Sequence, residues 1–362
     1  MIFHAAQEEK RDSEEEAHKK KIRMRLGGRL LGLRVSRQVT RRRMIMTESE
    51  VSELSAGLDF GIVDPHVHYW SPSTHSWLKG SLDESAPKGL RRFAPIAKAF
   101  SPSDQRRLLA PLEIKGSAYV QANFSVSANP TEEAAYCVGV RLADGNLPSV
   151  FTSYAPLSDP EAAEKVLEAS RRYEGFRGVR FMLDYHPTRP ELSQTDRGDY
   201  MADPNFRKGL GLLSSKELFE LQVCQCQLLE AANFVSLFPE ITFVLNHAGF
   251  PLRGDFQDWK RGIDALAANP KVVVKIGGLG CYDEPNWSQD EVNDYANQAV
   301  SAFGLDRSMF ASNLPVDLLD FPDPRHRYLS LLRAAKHAGF SSPDDLRRLF
   351  RTNAARIYSI DL

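Results

Sequence analysis

Hydrophobic and polar positions follow a repeating order along most of this chain. From Asp59 onward, short apolar runs alternate with amphipathic stretches of about 10–16 residues, the pattern of repeated βα units. The apolar runs predict strands over Phe60–Asp64, Gly116–Asn123, Val150–Pro156, Phe176–Leu183, Leu218–Cys224, Ile241–Asn246, Val272–Ile276 and Met309–Ser312, eight in all. Helices are predicted over Thr131–Leu142, Asp159–Tyr173, Leu228–Phe238, Trp259–Ala268 and Asp290–Phe303, with Pro324–Ala338 and Pro343–Tyr358 closing the chain. Ser158-Asp159-Pro160-Glu161 and Ser341-Ser342-Pro343-Asp344 place a polar cap before a proline and an acid in the first turn, which suits a helix N-terminus. Eight βα repeats over about 300 residues predict a single α/β domain, a (β/α)₈ TIM barrel. The rival is a doubly wound open sheet, but no GxGxxG or GxxxxGK[ST] turn follows any strand.

Two stretches break the repeat. Tyr69–Ser101, rich in Trp, Pro, Ser and Lys, follows the first strand and far exceeds the common connection of about 4–6 residues. His186–Asp203 follows the fourth strand. Both leave the C-terminal ends of strands, where a barrel keeps its substrate walls and lids.

Charge divides the chain. The net charge of the 362 residues is −1, from 46 Lys+Arg and 47 Asp+Glu. Residues 1–45 hold 13 of the basic and 6 of the acidic side chains, leaving 33 basic and 41 acidic in the remainder, so a +7 head precedes a −8 body. The domain organisation expected is an unpacked basic extension, 1–45, and a barrel, 46–362. The head reads in several ways: a transit peptide, which the acids Glu8, Glu9, Asp12 and Glu14 to Glu16 spoil; a nucleic-acid arm; or sequence upstream of a true start at Met44 or Met46. An acidic body argues against nucleic acid or anionic lipid as its partner, and no apolar run reaches the roughly 18 residues that span a bilayer. Cys137, Cys224, Cys226 and Cys281 form no CxxC pair and suggest free thiols in a reducing compartment. The location expected is the cytoplasm, or the mitochondrion if the head is a transit peptide.

The chemistry concentrates at strand ends. In Asp64-Pro65-His66-Val67-His68-Tyr69-Trp70, alternate side chains of an extended chain share a face, so His66 and His68 point together into the barrel mouth, placed to bind one ion or one substrate. His247 lies just past the sixth strand, and Ser312-Asn313-Leu314-Pro315-Val316-Asp317 puts polar groups past the eighth. A lone histidine in such a place is commonly a loop cap; three at one end of a barrel point to a site.

These motifs, taken in order from about Phe60 to Tyr358, resemble the amidohydrolase-related TIM-barrel hydrolases of the amidohydrolase superfamily, in particular the branch of sugar-lactone and dicarboxylate-lactone hydrolases. The resemblance rests on His66-x-His68-x-Trp70, Arg177-Gly178-Val179-Arg180, His247-x-Gly249-x-Pro251, Lys275-x-x-Gly278-Leu279, Ser312-Asn313-x-Pro315 and the closing Asn353-Ala354-Ala355-Arg356-Ile357-Tyr358. It implies a small-molecule substrate, and His66 and His68 as the pair that binds a divalent metal such as zinc or polarises the substrate. His247 matches the sixth-strand histidine. Asn313 stands where the superfamily keeps an aspartate that binds metal and takes a proton from water. An amide is no base near neutral pH and a weak ligand, and Leu221-Gln222-Val223-Cys224 offers no fifth-strand histidine, so any metal is held loosely or is absent.

The resemblance further implies hydrolysis of a lactone by water attack on a polarised carbonyl. His247 or Asp317 then handles the proton, and Asp317 has the plainer alternative of an exposed loop acid. Arg180 and Lys275 contact the substrate or form an ion pair inside the barrel. Trp70 and Trp77 stack on a ring or pack the loop. Arg177, three residues before Arg180 on one strand, faces the opposite way. Two other readings compete: a metal-dependent decarboxylase, which Asn313 disfavours, and a barrel that binds a sugar acid without turnover.

Overall fold

The computed structural model of the protein describes residues 46–86, 88–124, 131–280 and 287–362; the basic head 1–45 and Cys281 lie outside the described residues. Eight strands follow one another, β1 (Ile62–Val67), β2 (Ile114–Val120), β3 (Val150–Ser153), β4 (Phe176–Met182), β5 (Leu218–Gln222), β6 (Thr242–Leu245), β7 (Val272–Ile276) and β8 (Ser308–Phe310). Their spatial order is their chain order, and each pairs in parallel with the next. This is the eight-stranded barrel that the periodicity predicts; a doubly wound sheet reverses its strand order and is ruled out. Strands such as Val-Val-Val-Lys-Ile of β7 are buried at every position, because helices cover their outer faces and side chains fill the interior.

The interior is layered. At the N-terminal end of the strands, Val63, Ala118, Leu218, Val244, Val273 and Met309 form an apolar cluster that Ala354, Tyr358 and Ile360 of the C-terminal segment close from below. Polar side chains replace this layer higher up, as the following section describes. Around the barrel, the large cluster that includes Trp259, Phe206 and Leu331 seats the helices on the strands.

The structure departs from the predicted elements in several places, and adds helices at Pro102–Leu109 and Pro204–Leu210 that the periodicity does not predict. The first strand does not stop at Asp64: a register shift between Asp64 and Val67 carries β1 through Pro65 and His66, so the first histidine sits inside the sheet. The closing helix is two, Pro343–Arg347 and Asn353–Tyr358, joined by the wide π turn Arg348–Thr352. That turn aims Asn353, whose Nδ2 donates to the carbonyls of Leu305 and Ser308 at 2.7 and 2.9 Å. A helix that the periodicity does not announce, Glu48–Gly57, precedes β1; Thr47 and Glu50 cap it reciprocally, and Leu54 and the Arg333–Glu53 pair (2.7 Å) hold it to the body.

Among the described residues, Cys137 and Cys224 are buried free thiols and Cys226 an exposed one, and no helix is long and apolar enough to cross a membrane.

Gly178 in β4 shows how tightly the sheet is drawn. Its φ is +152°, and a Cβ there would lie 1.9 Å from the Leu218 carbonyl oxygen of β5. Gly178→Ala is therefore expected to cost about 3 kcal/mol or more, while Gly139→Ala, in an exposed helical position with nothing within 4 Å, is expected to gain about 0.5–1 kcal/mol. Denaturant melts of the two variants against the parent check this pair of signs.

Candidate active site

The site is built on the seam where the barrel closes. β1 meets the segment after β8 through one parallel bridge, Val67 to Leu314. The His68 amide donates to the Leu314 carbonyl at 2.7 Å, and the Asn313 amide donates to the His66 carbonyl at 3.0 Å. Asp64 anchors this seam from below. Fully buried, it accepts hydrogen bonds from Gln105 Nε2 (2.7 Å), the Ser312 amide (3.1 Å), the His66 amide (3.3 Å) and the Ser312 hydroxyl. Burial pushes its carboxyl up to about 6 in spite of these donors. The backbone that carries His66, His68 and Asn313 is thus held by one carboxylate.

The seam brings three imidazoles together. The His66 ring centroid lies 4.9 Å from that of His68 and 4.4 Å from that of His247. His68 Nδ1 bonds to the Val120 carbonyl at 2.8 Å and His247 Nδ1 to the Gly277 carbonyl at 3.1 Å. A carbonyl only accepts, so Nδ1 carries the proton in both rings and Nε2 is left as an acceptor. Neither nitrogen of His66 has a hydrogen-bond partner. Burial, with the nearby cations Lys275 and Arg180 and the neighbouring rings, pushes His66 and His68 well below the usual imidazole range and His247 to about 3. The cluster is neutral at physiological pH.

The loops bearing these groups are bent unusually. His247, Ala248, Phe250 and Asn313 all have left-handed backbones, with φ of 53°, 50°, 48° and 54°, a conformation that side chains tolerate only where packing enforces it. Gly278 makes room between them: a Cβ there would meet His247 Nδ1 at 2.6 Å and Asn313 Nδ2 at 3.0 Å.

The remaining residues singled out by the sequence fall into two groups. Arg180 and Asn313 line a pocket of about 150 Å³ together with His68 and His247. Arg180 Nη1 donates to Gln222 (2.9 Å) and its Nε to Gln121 (3.3 Å), so its hydrogen-bond partners here are neutral amides. Trp70 lies parallel to His68 at 5.8 Å and edge-on to Trp77 at 5.3 Å. With Phe93 and Phe250, these two indoles make the pocket's apolar wall, and the long first loop supplies most of it. Gln194 joins the lining from the stretch after β4. No aspartate or glutamate among the described residues lines the pocket.

Lys275 and Asp317 are placed elsewhere. Lys275 is fully buried beneath the imidazoles and pairs with Glu220 at 2.7 and 2.9 Å; Tyr358 and Asn246 also donate to Glu220. Its position is that of the interior ion pair, away from the pocket wall. Asp317 is no exposed loop acid: it is fully buried, pairs with Arg327 at 2.7 Å and accepts from Asn313 Nδ2 at 2.8 Å. Arg177 turns away from the mouth and donates to the Tyr358 and Ser359 carbonyls. Sequence reasoning missed Glu220 and Asp64. The signal for each was a single acid within a largely apolar strand, which demands buried donors.

The residues present do not fit a resident metal centre. Among the described residues no three His, Cys, Asp or Glu side chains are arranged to hold an ion. The buried carboxylates of the interior are committed, Asp64 to Ser312 and Gln105, Glu220 to Lys275 and Asp317 to Arg327, and Asn313 offers only an amide. Arg180, whose hydrogen-bond partners are neutral amides, adds positive charge where a cation would have to sit.

The depressed His247 sets a measurable sign. Unfolded, a histidine titrates near 6.5; folded, His247 stays neutral to about 3, so on acidification the unfolded chain takes up a proton that the folded one refuses. This term is absent above neutrality and grows as pH falls. His247→Gln removes it, and the variant's stability relative to the parent is expected to improve by about 2 kcal/mol between pH 7.5 and pH 5. Parallel urea melts at the two pH values measure this; an unchanged difference contradicts it.

Comparison with known proteins agrees with this architecture. The family model described as Amidohydrolase matches residues 63–360. An uncharacterized protein of Sinorhizobium fredii, y4mH, is 30% identical over 316 residues, covering 83% of this chain and 99% of its own. The L-fucono-1,5-lactonase of Burkholderia ambifaria is 25% identical over 308 residues, covering 83% of this chain and 96% of its own. A Burkholderia multivorans amidohydrolase crystallised with bound zinc superposes with a TM-score of 0.68 at 23% identity, over 83% of this chain and all of that one. With its barrel, its strand-end histidines and a family match over nearly the whole described body, the chain belongs to the amidohydrolase family.

Proposed function

We propose that this chain is a hydrolase that opens a small lactone without a resident metal. The observation that carries the reading is the cluster of neutral imidazoles, with Nε2 of His68 and of His247 left as acceptors, beside a buried arginine in a pocket lined by no acid. The relationship to an L-fucono-1,5-lactonase supports the reaction class.

Lactone hydrolysis needs a water that can lose a proton, a place for the oxyanion and a hold on the ring. Nε2 of His247 or His68 accepts a hydrogen bond from water and takes its proton as oxygen attacks the carbonyl carbon. The imidazolium so formed is stabilised as negative charge grows on the carbonyl oxygen nearby. Arg180 donates to that oxygen or to the product carboxylate, and Asn313, fixed by its bond to Asp317, adds a neutral polar group. The ring C–O bond then breaks, the leaving alkoxide takes the proton back from imidazolium, and a hydroxy acid remains. Trp70 and Trp77 hold the ring and exclude water. Lys275, its charge balanced by Glu220, holds the interior beneath the rings as an ion pair and takes no part in the proton transfer. The free thiols suit an enzyme of the cytoplasm.

A decarboxylase reading requires a firmly held metal and a carboxylate at position 313, and the donor set described above supplies neither.

Rates on a panel of sugar and dicarboxylate lactones test the proposal. His68→Ala is expected to lower kcat/KM by about 10²–10⁴-fold, and an unchanged rate places the chemistry elsewhere. Chelation of divalent ions is expected to leave the parent's rate within about twofold; stoichiometric zinc in the purified protein, with activity lost on its removal, contradicts the metal-free mechanism.

A further inference from the structure

We propose that Glu133, Tyr119 and His75 form a positioning unit that sets Trp77 as the substrate wall of the pocket. The proposal rests on the hydrolytic reading of this pocket and names residues outside its lining on which substrate binding depends.

Glu133 is an acid that the chemistry above leaves unused. It lies in the first turn of the helix Glu132–Ala143 and is buried. Its hydrogen-bond partners are neutral donors. The Tyr119 hydroxyl, from β2, donates to Oε1 at 2.9 Å, and the Tyr154 amide, just past β3, donates to Oε2 at 2.9 Å. The Ala122 amide also favours the charged form, yet burial pushes the carboxyl up to about 7. Enclosing a carboxylate among neutral donors costs stability, and its effect here is to tie the ends of β2 and β3 to one point.

Two routes lead from that point to Trp77. On the first, Tyr119 directs its proton at Glu133, so its oxygen accepts from His75, whose Nε2 lies 3.4 Å away. Nε2 therefore carries the His75 proton, and Nδ1 accepts from the Thr74 hydroxyl at 2.9 Å. His75 is fully buried against Phe124 and Tyr136, and it directly precedes the short helix Ser76–Gly80 that carries Trp77. On the second route, the Ala122 carbonyl accepts from the Trp77 indole N–H at 2.9 Å, while the amide of the same residue acts on Glu133. The indole is thus held at its nitrogen and through the backbone two residues before it, and both holds end on one carboxylate. So placed, Trp77 meets Trp70 and Phe93 edge-on, each at 5.3 Å, in the pocket wall.

A displaced wall weakens substrate and transition state alike, which raises KM and spares kcat. Loss of a residue that only stabilises the fold lowers the active fraction instead, and with it the apparent kcat at unchanged KM.

Kinetics and fluorine NMR of the full chain test this together. Tyr119→Phe and His75→Phe cut the first route at separate links, and either serves should the other fail to fold. On the panel lactone that the parent opens fastest, each is expected to raise KM about tenfold with kcat within about twofold, and the double variant to go no further. Glu133→Leu is expected to match them. In Glu133→Gln the amide can accept from Tyr154 and donate to Tyr119, reversing the chain through hydroxyl and imidazole, and KM is expected to rise by no more than about threefold. In protein labelled with 5-fluorotryptophan, the ¹⁹F resonance of Trp77, assigned by its loss in Trp77→Phe, is expected to move in Tyr119→Phe and His75→Phe with no substrate present. A loss confined to kcat, an additive double variant, or an unmoved Trp77 resonance overturns the proposal. The two readings fail separately. A Trp77 resonance that moves in a chain that opens no lactone retains the positioning unit and sinks the hydrolase; lactone opening with KM unchanged in both variants retains the hydrolase and sinks the positioning unit.

Discussion

A charge enclosed in the dry interior of a barrel must be paired, and a titratable group beside it must stay neutral or be paired in turn. This constraint orders the molecule from bottom to top. The apolar floor closed by Tyr358 and Ile360 comes first, then the Glu220–Lys275 pair with Tyr358 and Asn246 completing its hydrogen bonds. Above that pair stand the imidazoles of His66, His68 and His247, kept neutral by burial and by the cations around them. At the pocket, positive charge meets ligand space through Arg180 and Arg92. A neutral imidazole with Nδ1 bound to a carbonyl is an oriented acceptor, so the packing that stabilises the interior also prepares the group that receives a proton.

Fold closure and site assembly are one event in this chain. The bridge between β1 and the segment after β8 fixes His66, His68 and Asn313 together, and Asp64 binds both sides of the seam. Placing reactive groups at the seam carries a cost in backbone strain, seen in the left-handed residues after β6 and β8. Gly278, whose missing side chain admits His247 and Asn313, is where that strain is relieved.

The sequence made some of this legible and not the rest, for physical reasons. Strands buried on both faces read as apolar runs, so β7 was bounded to the residue and all eight strands were recognised. The i, i+2 spacing of His66 and His68 survives into the structure because an extended backbone alternates its faces. The bulge that draws His66 into β1 was not visible, since it depends on the register of β2 and not on the residues of β1 themselves. Nor could local pattern tell an interior ion pair from a pocket cation: Lys275 and Glu220 lie 55 residues apart, and only the fold makes them partners. Asp317 is the same case, with Arg327 ten residues on turning a loop acid into a buried one.

The central claim is that His68 and His247 are neutral, Nδ1-protonated imidazoles held ready beside a buried cation. ¹⁵N-detected NMR of histidine-labelled protein reads the tautomer and protonation state of each ring across pH. The account predicts that both rings keep neutral Nδ1–H shifts from pH 8 down to about 5, below the ordinary imidazole midpoint near 6.5. Rings that titrate near that midpoint, or that show the Nε2–H tautomer, contradict it.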